Sequence, residues 1–158
     1  MPTVRSAKRP APRSRVKPAA TKRSLPPKSA PKGLRICISG VSGYFARGLL
    51  PLLEKDRSVG SIVGIDLAAP PAGFSKLEFH RLDVRDPQAA ALLQGCDIFI
   101  HLAFILLRRP GQRDEESINF AGSRALLQAA AAAGVKKIIF TSSVVAYGLH
   151  PDNPVPLK

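Results

Sequence analysis

Small residues at a regular spacing carry the strongest chemical signal in this sequence. Gly40, Gly43 and Ala46 stand three positions apart, directly after the apolar run of residues 34–39 and at the start of a stretch with helical apolar spacing. Such a loop lets backbone N–H groups approach a pyrophosphate, and the helix N-terminus adds a favourable dipole. A tight strand–helix turn without a ligand is the alternative. The residues predicted to form a dinucleotide-binding loop are Gly40, Ser42, Gly43, Tyr44, Phe45 and Ala46.

Asp66 provides the second chemical signal, because it ends the apolar run of residues 61–66. A carboxylate in this position can accept hydrogen bonds from both hydroxyls of an adenosine ribose. The next three residues, Leu67, Ala68 and Ala69, include no cation that would hold a 2′-phosphate. The sequence therefore predicts NAD as the cofactor and disfavours NADP, with a solvated strand end as the alternative for Asp66.

Asp83 follows the third predicted strand, residues 77–82, and two interpretations of it remain open. It could contact the amino group of an adenine bound beside the sheet. Alternatively, Asp83 and Asp86 could cap a helix that begins at Pro87, since Asp is a preferred capping residue and Pro a preferred first residue of a helix.

Alternating strand and helix patterns must position these residues. Apolar runs predict strands at residues 34–39, 61–66, 97–103 and 137–143, and alternation predicts a further strand at 77–82. Helices are predicted at 43–54, at 87–94, where Pro occupies the first turn, and at 114–133. Continuous apolar strands separated by helices indicate a parallel sheet covered on both faces. We therefore expect an α/β protein with a doubly wound parallel sheet of about five strands.

Charge divides the chain into two parts. The whole chain carries 24 Lys and Arg against 11 Asp and Glu, a net charge of +13. Residues 1–33 hold ten of those cations, no acid and seven of the 15 prolines, so 14 cations (24 − 10) face 11 acids in residues 34–158, a net +3. Such a composition cannot bury a core, and it predicts a disordered basic tail at 1–33 followed by one domain at 34–158.

The tail has three interpretations: a solvated extension or misassigned start, an organelle transit peptide, or an arm that neutralises nucleic-acid phosphates. No aromatic residue interleaves its charges, so nothing there would stack on bases. No run of 18 apolar residues predicts a membrane span, and two cysteines are too few for a disulfide framework or a zinc site. A cytoplasmic protein without a metal is expected, or an organellar one if the tail is a transit peptide.

Taken together, these motifs resemble the extended short-chain dehydrogenase/reductases, the group of NAD-dependent sugar epimerases and dehydratases. The resemblance covers residues 34 to about 158 and implies a Rossmann-like sheet, with Ala46 replacing the third glycine of the family's loop. It is carried by residues 39–46 (SGVSGYFA), Asp66, 82–84 (LDV), 101–103 (HLA), Asn119, Gly122 and 138–148 (IIFTSSVVAYG).

The resemblance implies roles for further residues. Asp83 and Val84 would frame the adenine, and Leu102, Ala103 and Phe104 would line the cofactor crevice. Ser143 matches the family's active-site Ser/Thr, which hydrogen-bonds the substrate oxygen during hydride transfer. The substrate would be a nucleotide-sugar or a similar hydroxyl or carbonyl compound, and the complete protein would be a homodimer.

His101 and Tyr147 could each be taken for an acid–base group, but the sequence favours other interpretations. His101 lies among strand residues, where a hydrogen-bonded core histidine is favoured over a base. The family's catalytic pair is a Tyr-x-x-x-Lys, but Gly48 follows Tyr44 by four positions and Pro151 follows Tyr147. We therefore expect an incomplete sheet, an exposed and aggregation-prone fifth strand, and no turnover. The alternatives to a truncated enzyme are a non-catalytic NAD sensor and a protein that associates with nucleic acid through its tail.

Overall fold

A computed structural model describes residues 33–105 and 116–143 of the protein, together with Ala146 and Gly148. The basic tail lies outside the described residues except for Gly33, so its disorder stays a prediction. The first two residues of the helix predicted at 114–133, and Tyr147, lie outside them as well.

Five parallel strands form one sheet within the described residues, in the order β3-β2-β1-β4-β5. The strands are β1 Leu34–Ser39, β2 Val59–Asp66, β3 Leu77–Arg81, β4 Ile98–His101 and β5 Lys137–Phe140. The chain adds β2 and β3 on one side of β1 and then β4 and β5 on the other side. This is the doubly wound α/β arrangement, so the predicted fold class is confirmed. The reversal leaves a crevice at the carboxyl ends of β1 and β4.

Helices connect these strands. They are α1 Tyr44–Lys55, α2 Pro87–Ala91, and α3 Ser123–Ala132, which continues directly from a π-helical segment, Ser117–Gly122. Helix α1 buries Ala46 and Leu50, one turn apart on one face, and Lys55 in its last turn complements the helix dipole. The segment predicted as one regular helix at 114–133 therefore contains a wider π turn in its described part. Residues of this turn make contacts at the candidate site.

The strands at the crevice are shorter than predicted. Strand β4 ends at His101 instead of residue 103, because its partner β1 ends at Ser39, where Gly40 turns the chain away with φ +76°. Strand β5 ends at Phe140 instead of residue 143, because β4 offers no further strand residue after its pairing of His101 with Phe140. Residues 102–105 and 141–143 are consequently loop residues at the carboxyl edge of the sheet.

Apolar side chains pack on both faces of the sheet. Cys37, Val63 and Phe99 point to the face covered by α2 and α3, where they meet Leu93 and Leu126. On the other face, the α1 residue Leu50 packs with Ile36, Ile38, Ile62 and Ile100. The alternation along β1 follows from the two-residue period of a strand, and burial on both faces explains why the strands read as continuous apolar runs.

Strands β3 and β5 are the two edges of the described sheet, and β5 exposes an apolar run. Ile138, Ile139 and Phe140 leave 38%, 44% and 48% of their surfaces accessible. The expectation that an apolar fifth strand forms an unpaired edge is therefore confirmed for the part of the chain that the structure describes.

Candidate functional site

A cleft opens at the carboxyl ends of the strands, where the strand order reverses. Eight residues predicted to bind a cofactor line it: Gly40, Gly43, Asp66, Asp83, Val84, Leu102, Ala103 and Phe104. Five further lining residues were not predicted: Ile65, Leu67, Leu82, Ile105 and Ile118. All but Ile118 are sequence neighbours of predicted residues, so widening each predicted segment by one position would have included them.

Gly40 makes the first turn of the loop possible. Its φ of +76° is a left-handed conformation that side chains rarely adopt. A Cβ at this position would lie 2.6 Å from the backbone nitrogen of Ala103 and 2.7 Å from the carbonyl carbon of Leu102. Only glycine therefore lets the loop after β1 touch the loop after β4, and this contact closes the floor of the cleft.

The first turn of α1 has no side-chain cap. Gly43 occupies the capping position with φ −70°, and its N–H donates to the carbonyl of Gly40 at 3.0 Å. Backbone N–H groups at the start of a helix need an acceptor, and an anion can supply one. Ala46 is fully buried, which keeps α1 close to the sheet as predicted. The uncapped turn beside the cleft is suited to a pyrophosphate.

Tyr44 and Phe45 turn their rings away from the protein. They leave 86% and 67% of their surfaces exposed and contact each other edge to face, with ring centroids 5.6 Å apart. Neither lines the cleft, so their backbone groups are the parts of these residues that the helix N-terminus presents to an anion.

Asp66 joins the loops that follow β1 and β2. Its Oδ2 accepts the N–H of Ser42 at 3.0 Å, and its Oδ1 accepts the N–H of Ala68 at 3.2 Å. The Ser42 hydroxyl donates in turn to the carbonyl of Ala68. An ionised carboxylate has about four acceptor positions, so roughly half remain for ribose hydroxyls. The residue at the predicted ribose site thus also shapes that site.

The structure separates the two aspartates that sequence left ambiguous. Asp86 is the helix cap, because its Oδ1 accepts the N–H of Gln88 at 2.8 Å. Asp83 instead binds the Arg85 guanidinium with both carboxylate oxygens, at 3.0 and 2.8 Å. The hydrogen bond from the Arg85 side chain lowers the pKa of Asp83, which keeps the carboxylate charged at the cleft. Its contact with adenine stays a prediction.

Gly122 and Val84 form a tight contact below Asp83. A Cβ on Gly122 would lie 2.5 Å from Cγ2 of Val84, which is 8% exposed and lines the cleft. The π-helical segment therefore contacts the lining residue Val84 through a glycine. The sequence resemblance included Gly122 without giving it a role, and the structure shows that it makes room for Val84.

Asn119, on the same segment, holds the loop after β4. Its amide oxygen accepts the N–H of Ile105 at 2.8 Å, and its amide nitrogen donates to the carbonyl of Ile105 at 2.9 Å. This pair of bonds fixes the backbone that continues from Leu102, Ala103 and Phe104. The local spacing around Asn119 gave no sign of this, because its partner lies 14 residues earlier in the chain.

His101 is a core residue, as predicted. Its Nδ1 lies 2.5 Å from the hydroxyl of Ser39 and its Nε2 lies 2.7 Å from the hydroxyl of Ser123. Only 2% of the residue is exposed, and burial lowers the pKa of the imidazole to about 4. A neutral ring without access to the cleft cannot serve as the base of a reaction there.

The predicted catalytic residue, Ser143, is not among the residues that line the cleft. Ser143 is exposed, three residues after the end of β5, and its carbonyl accepts the N–H of Ala146 at 3.0 Å. Thr141, which lies between β5 and Ser143, donates its hydroxyl hydrogen to the His101 carbonyl at 3.2 Å. This bond ties the loop after β5 to the end of β4. Ser142 and Ser143 thus follow the predicted strand end without being among the lining residues, and the role of Ser143 stays a prediction.

Metal-binding clusters and membrane spans are absent from the described residues. These residues contain no group of three or more His, Cys, Asp or Glu side chains suited to hold a metal ion. None of their helices is long and apolar enough to cross a membrane.

Comparison with known proteins connects this geometry to a family. A model of the NAD-dependent epimerase/dehydratase family matches residues 36–157. Cinnamoyl-CoA reductase 1 from Arabidopsis thaliana is 31% identical over 133 residues, which cover 78% of this chain and 38% of that protein. The chain thus spans less than two fifths of the length of this relative.

Solved structures agree with the sequence match. A short-chain dehydrogenase/reductase superfamily protein from Agrobacterium tumefaciens with bound NAD has a TM-score of 0.61 at 30% identity, with 76% of this chain and 35% of that chain covered. The UDP-N-acetylglucosamine 4-epimerase from Methanobrevibacter ruminantium in complex with UDP-N-acetylmuramic acid has a TM-score of 0.65 at 25% identity, with coverages of 80% and 43%.

Proposed function

The chain belongs to the NAD-dependent epimerase/dehydratase family, and from that membership we propose that the cleft between the carboxyl ends of β1, β2 and β4 binds NAD. One observation carries the proposal. The glycine turn, the Asp66 carboxylate and the loop after β4 converge on a single cleft at the point where strand order reverses, which is where such sheets bind ligands.

The residues present fit the parts of a dinucleotide. The uncapped N-terminus of α1 offers N–H groups to a pyrophosphate, and Gly43 at the capping position places no side chain in the way of its approach. Asp66 keeps acceptor positions for the ribose, while Asp83 and Val84 line the cleft on the β3 side. Bound NAD would supply a hydride acceptor, and the chain would orient it between the loops after β2 and β4.

For the whole protein, we propose hydride transfer on a hydroxyl or carbonyl substrate, such as a nucleotide-sugar. The UDP-N-acetylmuramic acid bound by the related epimerase supports this substrate class. Ser143 would orient the substrate oxygen. Because the 158 residues contain no Tyr-x-x-x-Lys, we expect that this polypeptide alone binds the cofactor without turnover.

A non-catalytic NAD-binding module is the second candidate. The cleft favours it, because binding requires the cleft alone and the residues that line it lie within this chain. NADH production by the 158-residue polypeptide with a nucleotide-sugar or a related alcohol would contradict this second function and would require a different acid–base group.

Calorimetry with NAD tests the cofactor assignment. We expect Asp66→Ala to weaken NAD binding at least about tenfold, because it removes the acceptor for ribose hydroxyls and the two bonds that hold the loop. Asp56→Ala is the matched control, since Asp56 also accepts two local bonds, from Ser58, but precedes β2 instead of ending it. Equal NAD affinity in wild type and Asp66→Ala would refute the assignment.

A further inference from the structure

Arg81 lies beside the predicted ribose site. It is the register partner of Asp66 in the pairing of β2 with β3, so the two Cα atoms are about 4.8 Å apart and the side chains leave the same face of the sheet. The guanidinium does not pair with Asp66. Its Nη1 donates instead to the carbonyl of Leu67 at 2.6 Å, and Leu67 lines the cleft.

Arg47, on α1, contacts the loop whose Ser42 N–H is bound by Asp66. Its Nε lies 3.4 Å from the carbonyl of Ser42, a long hydrogen bond, and the N–H of Ser42 is the one that Asp66 accepts. Two guanidinium groups therefore reach the immediate neighbours of Asp66, one along the loop after β1 and one along the loop after β2.

Both guanidinium groups retain donors for a ligand. Arg47 and Arg81 are exposed, and within the described part of the chain neither forms an ion pair with a carboxylate. Each uses one of its five N–H donors in the bonds above. An arginine fork matches the oxygens of a phosphate and is well suited to hold one.

We propose that Arg81 and Arg47 form a subsite for the 2′-phosphate of NADP next to Asp66, so that the cleft accepts NADP as well as NAD. This inference rests on the proposed dinucleotide function. With Asp66 alone, the negative carboxylate would repel a 2′-phosphate. The two cations change the local charge from −1 to +1, and they come from α1 and β3, far in sequence from the residues that follow Asp66.

Calorimetry on the full 158-residue chain at about 0.15 M salt tests the subsite. We expect wild type to bind both dinucleotides, and Arg81→Met to weaken NADP binding about tenfold while NAD affinity stays within about twofold. Arg47→Met should weaken NADP binding less, because its contact is longer. Arg81→Lys should lie between wild type and Arg81→Met, because it keeps the charge but loses the fork.

Arg57→Met is the matched control. Arg57 is an exposed arginine in the turn before β2, at the opposite end of the strand from Asp66, so its loss should leave the ratio of NADP to NAD affinity unchanged. Retained NAD binding in each variant shows that the chain is folded.

The two failures are distinguishable. If wild type binds neither dinucleotide, the proposed function falls and the subsite with it. If wild type binds NAD but not NADP, or if Arg81→Met and Arg57→Met change the NADP to NAD ratio equally, the subsite alone is refuted.

Discussion

Individual residues at this cleft have structural duties that accompany their proposed binding roles. Asp66 accepts two backbone N–H groups from the loops that form its own site, and Gly40 exists as glycine because a backbone lies where its Cβ would be. Substitutions at these positions therefore change stability and binding together. The ligand affinity of such a variant must therefore be compared with that of a second variant in which only stability changes.

Gly40→Ala should destabilise the fold. The left-handed φ costs an alanine about 1–2 kcal/mol, and the contacts of 2.6–2.8 Å to Ala103 and Leu102 add to this cost. Gly48→Ala is the control, because Gly48 lies inside α1 with no atom within 4 Å of the position that a Cβ would take, and this variant should gain about 0.5–1 kcal/mol. Thermal melts measure both, and a Gly40→Ala melting temperature at or above that of wild type would contradict the prediction.

His101 predicts a dependence of stability on pH. Burial lowers its folded pKa to about 4 from the ordinary value of 6.5, so the unfolded chain binds more protons between these values. Its contribution to stability is complete above pH 6.5 and is lost as the pH falls toward 4. We expect a loss of about 2 kcal/mol in the free energy of unfolding between about pH 7 and pH 5.

Urea denaturation at about pH 7 and pH 5 measures this loss. His101→Gln should remove most of the pH dependence in this window, whereas His80→Gln should retain it, because His80 is only partly buried and bonds Glu78 at the surface. Identical pH slopes for wild type and His101→Gln would show that this imidazole is not the source.

At the scale of elements, the π-helical segment Ser117–Gly122 connects helix α3 to the cleft. Asn119 holds Ile105, and Gly122 lets Val84 pack beneath Asp83. The widened turn therefore contacts the cleft at both the β3 side and the β4 side. Period and composition predicted a helix here, but they could not indicate the π turn, since it accompanies contacts with residues 14 and 38 positions earlier in the chain.

Asn119→Ala should loosen the loop after β4. The part-buried Ile105 N–H loses its acceptor, at a cost below the roughly 1–3 kcal/mol of a fully buried unsatisfied group. Amide hydrogen exchange reports this directly: the Ile105 amide should exchange faster, whereas the Leu102 amide, which donates to Ser39, should keep its protection. Unchanged exchange at Ile105 would mean that the loop is held by other contacts.

The whole molecule combines a nearly neutral α/β domain, a strongly basic tail and an apolar sheet edge. Of the net +13, residues 1–33 contribute +10. The strong positive charge of the chain therefore comes from the tail and not from the domain that contains the cleft. All three interpretations of the tail stay open, including contact with nucleic acid. Within the part of the chain that the structure describes, the edge at β5 exposes three consecutive apolar residues and unpaired backbone groups, which is a template for association.

We expect the 158-residue polypeptide to associate as its concentration rises, through this edge. Ile139→Lys should reduce light scattering, because a charged residue on an edge strand opposes pairing with another strand. Leu52→Lys is the control, since Leu52 is more exposed, at 66%, but lies on α1. Equal scattering by the two variants would place the association elsewhere.

Sequence by itself determined the features that depend on neighbours along the chain. Apolar strands alternating with helices specified a parallel sheet, the spacing of Gly40, Gly43 and Ala46 specified a strand–loop–helix turn, and Asp66 stood at a strand end. These are local features, because strand and helix periods and turn conformations arise within a few residues.

Only the tertiary structure decided which distant groups meet. It placed Arg81 opposite Asp66 and Arg47 beside Ser42, where the residues after Asp66 had indicated no cation. It also assigned the helix cap to Asp86 and identified Ser39 and Ser123 as the hydrogen-bond partners of His101. Such contacts depend on strand register and helix packing, and residue spacing along one segment contains no information about the register of another.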